Sequence, residues 1–204
     1  MASTVETSDT MAEKKKEGKS KATVSPKSSA PVKVSKGAPI IVKKRDLSPR
    51  AIGLEILARS YLGEADLEMA KRRALRYENR NISDEEAVLA LLTELLRNSE
   101  DMQQKAKIME NIAEYQSSIG EDPRPVLKEM HKLELNIFKE IGFEKVSIAS
   151  RKDACAQCKR QDAKVLSLEE ALGSMPLPHP ECTKLSHSRA RPFCRCRYYG
   201  EYIG

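Results

Sequence analysis

Every cysteine of this 204-residue chain falls within its last fifty residues: Cys155, Cys158, Cys182, Cys194 and Cys196. Two of the three histidines, His179 and His187, fall there as well. Thiolates and imidazoles gathered this tightly, in a chain with no other cysteine, point first to a metal site. The spacing Cys155-x-x-Cys158 on a tight turn brings two sulfurs within reach of one ion, at about 2.3 Å each for zinc. A closed structural site takes four ligands, and six candidates compete. Cys155 and Cys158 come first. Cys182 and one of Cys194 and Cys196 would complete a four-thiolate set, because both members of a C-x-C bind one ion only with a strained bite. His179, between Pro178 and Pro180, is the candidate to replace a cysteine. His187 lies in a polar Ser/Arg-rich insert and is the weakest. The alternatives are free thiols or a redox pair, and clustering and spacing favour zinc over both. A thioredoxin-like site would need the C-x-x-C at a helix start after a strand in a βαβ unit, a context the flanking residues do not suggest. A structural zinc would supply folding free energy that a fifty-residue segment with few large apolar side chains lacks.

Local signals divide this segment further. Phe143, Val146 and Ile148 predict a short strand, and Ala163 to Leu166 a second. Ser167-Leu168-Glu169-Glu170 reads as a capping box opening a helix to about Leu172, with Gly173 as its stop. A proline-stiffened loop, Met175 to Cys182, leads on to Cys194-Arg195-Cys196.

The run Asp153-x-Cys155-x-x-Cys158, a short strand and helix, then Leu177-Pro178-His179-Pro180-x-Cys182 and Cys194-Arg195-Cys196 resembles the C-terminal end of Mu-F-like phage head morphogenesis (minor head) proteins. In that family a D-x-C-x-x-C segment is followed by a short element and an H-P-x-C-R-C ending. The resemblance covers about residues 143–200 and implies a minor-head or portal-associated role. Two features depart from the family pattern. Asp162-Ala163 stands where the family has a glycine after the C-x-x-C. Eleven residues, Thr183 to Phe193, separate Cys182 from Cys194, where the family's two elements share a cysteine.

The middle of the chain carries helical periodicity. Ser48-Pro49 is an N-cap with proline at the first helical position, followed by Leu54, Leu57, Ala58 and Tyr61 on one face. Gly63 interrupts, and a second helix starts near Glu64 with Leu67, Ala70, Ala74 and Leu75. Tyr61, Gly63 and Ala70 resemble one tetratricopeptide helix-turn-helix unit, with no second copy at a 34-residue offset; an ordinary helical hairpin is the simpler reading. Ser83-Asp84-Glu85-Glu86 is a capping box before Ala87, Val88, Leu91, Leu92 and Leu95. A fourth helix spans about 101–118 and closes at Gly120. A fifth opens at Asp122-Pro123 and stops at Gly142, with Val126, Met130, Leu133, Ile137, Phe138 and Ile141 as its stripe. His131 within it is expected to be a surface or packing residue, because nothing nearby would share a metal with it.

The net charge of +6 is unevenly spread. Residues 1–45 hold eleven Lys/Arg against four Asp/Glu, while the remainder holds 25 against 26. That Lys/Ser/Pro-rich tail cannot bury enough apolar area to fold, so it is expected to be disordered, with the apolar run Ala38 to Val42 as its one docking segment. It would touch nucleic acid through phosphate neutralisation. The simpler reading is a solvated tail, since it has no aromatic residue for stacking and no arginine before Arg45.

The fold expected is therefore mostly α. A disordered basic tail (1–45) precedes a small helical-hairpin or TPR-like bundle (46–142) and a small α+β, zinc-knuckle-like cysteine module (143–204). The function expected is a non-enzymatic, zinc-stabilised interaction or assembly protein with protein partners, and nucleic acid contacted only by the tail. The absence of an apolar span or leader and the odd cysteine count predict a reducing, cytoplasmic setting, or the virion if phage-encoded, without membrane contact. The competing class is a metal-dependent hydrolase of nucleic acid or nucleotides. His179-Pro180-Glu181 matches the H-x-E of zinc deaminases, but their P-C-x-x-C follows that element, whereas the C-x-x-C here precedes it.

Overall fold

The computed structural model describes residues 48–185 and 194–202, which belong to one compact unit, Lys44–Gly204. The basic tail, its apolar run and His187 lie outside the described residues. No described helix is long and apolar enough to cross a membrane.

Five helices come first: α1 (Pro49–Ala58), α2 (Glu64–Glu78), α3 (Asp84–Asn98), α4 (Met102–Ile119) and α5 (Arg124–Ile141). Their ends follow from local chemistry. Ser48 Oγ accepts from the Ala51 N–H at 3.2 Å. Ser83 and Glu86 exchange side-chain-to-backbone bonds of 3.1 and 2.9 Å, so both halves of the capping box form. The Asp101 carboxylate takes the N–H groups of Gln103 and Gln104. Gly120 and Gly142 end α4 and α5 at φ of 88° and 95°, where a Cβ would be strained.

Helix α1 rests on α3 and α4, and α2 on α3, so α3 is the shared surface. The tetratricopeptide-like resemblance of Tyr61, Gly63 and Ala70 gains no support from this packing. Ile56, Leu57, Leu67, Val88, Leu92 and Tyr115 fill the core between these helices, each fully buried. Gly53 sits where α1 approaches α3 and α4 closely; a Cβ there would lie 2.6 Å from Val88 Cγ2.

A second core lies on the other side of α4 and α5. Strands β1 (Lys145–Ala149), β2 (Val165–Ser167) and β3 (Arg197–Glu201) form an antiparallel sheet in the order β2-β1-β3. Val146 pairs with Leu166 and Ile148 with Tyr198, and all four are buried, as the two-residue strand period requires when one face is covered. The cover is α5, which packs on α4, on β3 and on α7 (Leu168–Ser174). Leu127, Met130, His131 and Leu135 form its buried face. The fifth helix thus belongs to the same core as the cysteine segment.

Several local expectations need correction. The C-x-x-C does not occupy a tight turn: Cys155 is the N-cap of a one-turn helix, α6 (Ala156–Arg160), and Cys158 lies inside it. Gly173 lies within α7, and Met175 takes the left-handed position at φ 42° instead. Strand β3 is an element the cysteine-segment reading lacked. Where the family pattern has a glycine, Ala163 adopts φ 59°, with its N–H donating to Ile148 O at 2.7 Å.

Candidate metal centre

Three elements deliver the five sulfurs. Helix α6 follows β1 and carries Cys155 and Cys158. Its loop is closed by Asp162, whose carboxylate accepts the Ser150 N–H at 2.6 Å. The proline loop after α7 carries Cys182; within it the Leu177 N–H donates to the Tyr198 hydroxyl at 3.2 Å, tying the loop to β3. Cys194 and Cys196 precede β3, whose pairing with β1 draws them back over α6. Gln157 of α6 donates to the Glu181 carboxylate at 2.8 Å and clasps the loop against the helix.

The sulfurs converge. Cys155 Sγ lies 3.7 Å from Cys182 Sγ, Cys158 Sγ lies 3.5 Å from Cys182 Sγ, and Cys158 Sγ lies 3.8 Å from Cys194 Sγ. Two groups of potential metal ligands result: Cys155, Cys158 and Cys182, and Cys158, Cys194 and Cys196, each within 4.8 Å of one another. All five thiols are free, at separations far above the ~2.05 Å of a disulfide. Cys158, Cys182, Cys194 and Cys196 are buried, and Cys155 is partly exposed.

Backbone N–H groups aim at these sulfurs: Lys184 at Cys182, Cys196 at Cys194 and Arg151 at Cys196. Each favours the thiolate. The thiols also perturb one another. Hydrogen bonding to Cys182, Cys194 and Cys196, then burial, pushes the Cys158 thiol up. Hydrogen bonds from Cys158 and Cys194 hold Cys196 down at about 4, and those from Cys158 and Cys182 lower Cys194. Cys182 is lowered by Cys158 but raised more by Cys194 and burial. The pattern has a simple electrostatic origin: sulfurs this close share protons, because they cannot all ionise without a cation among them. A divalent ion would be that cation, so the cluster could hold a metal.

His179 stands outside both groups; its Nδ1 accepts the Glu181 N–H at 3.1 Å. The His179-Pro180-Glu181 segment therefore serves the loop and the α6 clasp among the described contacts. His131 is a packing residue, as expected. It is 2% exposed, stacks edge-on against Tyr198 with ring centroids 5.5 Å apart, and its Nδ1 lies 2.8 Å from Glu134 Oε2. An ionised carboxylate only accepts, so Nδ1 carries the proton. Glu134 and Glu110 of α4 both receive Arg197, the first residue of β3. This network welds the strand after the last cysteine to α4 and α5. Sequence reasoning missed it, and the only signal for it was the three-residue spacing of His131 and Glu134.

The C-x-x-C at a helix start after a strand meets part of the thioredoxin pattern, but β1 and β2 pair antiparallel, so the surrounding unit is a hairpin with an inserted helical turn and not a βαβ crossover. Comparison with protein-family models, with curated proteins and with solved structures finds no match for this chain.

Proposed function

We propose that this is a zinc-stabilised interaction protein whose C-terminal module is folded around one Zn²⁺ held by four thiolates. The observation that carries the reading is the set of sulfur separations. Four sulfurs at about 2.3 Å from a tetrahedral ion stand about 3.8 Å apart, and three pairs here lie at 3.5, 3.7 and 3.8 Å. Donor softness points the same way, since thiolates select zinc over calcium, magnesium or manganese. The role is structural. Four protein sulfurs leave no coordination position for a reacting water, and four of the five candidate donors are buried. The core beneath the site supports this: Cys158, Cys182, Cys194 and Cys196 are buried in the same cluster as Leu166, Leu177, Leu185 and Tyr198, so an ion on the sulfurs would tie the loop segments to that core.

The interaction role rests on two supports. Tyr61, Tyr77 and Tyr202 are 99, 77 and 89% exposed, and exposed aromatic residues are enriched where proteins meet. The motif resemblance to Mu-F-like minor head proteins makes a capsid or portal component the partner class.

Native mass spectrometry of the full chain is the test. We expect one zinc per chain, and loss of sheet and near-ultraviolet tyrosine signals when a strong chelator removes it. A chain that purifies without metal, binds none on titration, and keeps its folded spectra in chelator would refute the reading. If Glu181→Gln abolished a hydrolytic activity of the zinc-loaded chain, the structural role would give way to a catalytic one.

A further inference from the structure

The sulfurs fall into two groups that meet at a single atom. Cys155, Cys158 and Cys182 form one and Cys158, Cys194 and Cys196 the other, each with its members within 4.8 Å of one another. Cys182 belongs only to the first group, and Cys194 and Cys196 only to the second. Cys158, which is 1% exposed, belongs to both. A four-thiolate zinc at either group takes its fourth sulfur from the other. An ion satisfied by three sulfurs borrows none, and the module then has room for two.

In a triangle of side about 4.0 Å the centre lies about 2.3 Å from each corner, a metal–thiolate bond length. The contacts of 3.5, 3.7 and 3.8 Å and the 4.8 Å bound on each group bracket that side. Copper(I) is the ion with this demand. Its filled d shell imposes no fourth ligand, and thiolates select it as they select zinc.

We propose that the five cysteines form a second metal-binding state, a site for two copper(I) ions, one in each sulfur group, with the Cys158 thiolate bridging them. The inference stands on the sulfur grouping and goes beyond the zinc reading. A thiolate sulfur carries lone pairs enough for two ions, and the fold puts this one where a bridge is needed. Cys158 meets Cys182 of the proline loop at 3.5 Å and Cys194 of the segment before β3 at 3.8 Å. Lys159 and Arg160 follow it at the end of α6 and offset part of the negative charge of five thiolates. Loading from the zinc state is a ligand exchange with no change of oxidation state. Two copper(I) ions enter, one zinc ion leaves, and the fifth thiol releases its proton to solvent, so the cluster gains one negative charge.

Anaerobic titration of the zinc-loaded full chain with copper(I) held by a chromophoric chelator tests this. The chain should take up two copper ions and release its zinc. X-ray absorption at the copper edge should show three sulfurs per copper and a copper–copper vector. Cys158→Ser damages both groups, so it should lose that vector and hold at most one copper. Cys155→Ser and Cys196→Ser each spare the other group and should each keep one copper bound by three sulfurs. Where a variant fails to fold, the copper count and the copper–copper vector of the wild-type chain decide. One copper per chain, three or more, no copper–copper vector, or two coppers retained by a folded Cys158→Ser chain would overturn the proposal. A chain that binds zinc but only one copper leaves the zinc reading standing; one that takes two coppers but no zinc overturns that reading and supports this one.

Discussion

Arg197 is the residue that joins the cysteine segment to the helices, and its removal can be reasoned through quantitatively. It follows Cys196 directly, opens β3, and donates to Glu134 on α5 and, at 2.5 Å, to Glu110 on α4. Substituting Arg197→Met keeps an unbranched apolar stem and removes only the guanidinium. Two carboxylates then lose their shared cation at a half-buried interface. Breaking a fully buried pair costs about 3–5 kcal/mol. Here the Arg197, Glu134 and Glu110 side chains keep 26, 15 and 28% of their exposure, so water recovers part of that, and about 2 kcal/mol is the expected loss. For a domain of this size that is a fall in Tm of roughly 4–8 °C.

The pH dependence follows from Glu134. Burial alone would raise its carboxyl, but the hydrogen bond and charge of His131 and then Arg197 outweigh it and hold the group below its ordinary value. A carboxyl depressed in the folded state adds stability above the unfolded value, near pH ~4.3, and that stability is lost as pH falls through the folded value. Part of it disappears with Arg197. The Tm gap between wild type and Arg197→Met should therefore be full at pH 7 and shrink progressively below about pH 4. Circular dichroism melts of both chains, compared at the same pH across that range, measure it. Equal melting at pH 7, or a gap as large at pH 3 as at pH 7, would refute the argument.

Two further outcomes are expected in the helical core. The Tyr115 hydroxyl is buried without a hydrogen-bond partner among the described residues, so Tyr115→Phe should stabilise the chain by about 1 kcal/mol; a lower denaturation midpoint would contradict this. Gly53→Ala should gain about 1 kcal/mol of helix propensity but lose more to overpacking, because Val88 is fully buried and β-branched and cannot swing away from a Cβ at 2.6 Å; a net loss of roughly 1 kcal/mol is expected, and a rise in Tm would count against it.

What was legible before folding was local. Ser48, Ser83 with Glu86, Gly120 and Gly142 mark helix ends because each cap is satisfied within about four residues of itself, and those signals survive in any tertiary setting. Gly173 misled because a glycine marks a helix end only where the backbone turns left-handed, and that turn comes two residues later, at Met175. Strand β3 escaped notice because its pairing partner, β1, lies about fifty residues away, and nothing within Arg197 to Glu201 records that partner.

The division at the metal centre is of the same kind. The amino-acid order alone determined that five sulfurs crowd one end of the chain, that helices precede them, and where most of those helices stop, since composition and caps act over a few residues. Tertiary structure alone decided that Cys158 lies at the meeting point of both sulfur groups, that His179 stands aside, and that α5 with His131 and Glu134 underpins the module. Those outcomes depend on the antiparallel return of β3 and on packing across α5, which are contacts between distant segments that no short window of residues encodes.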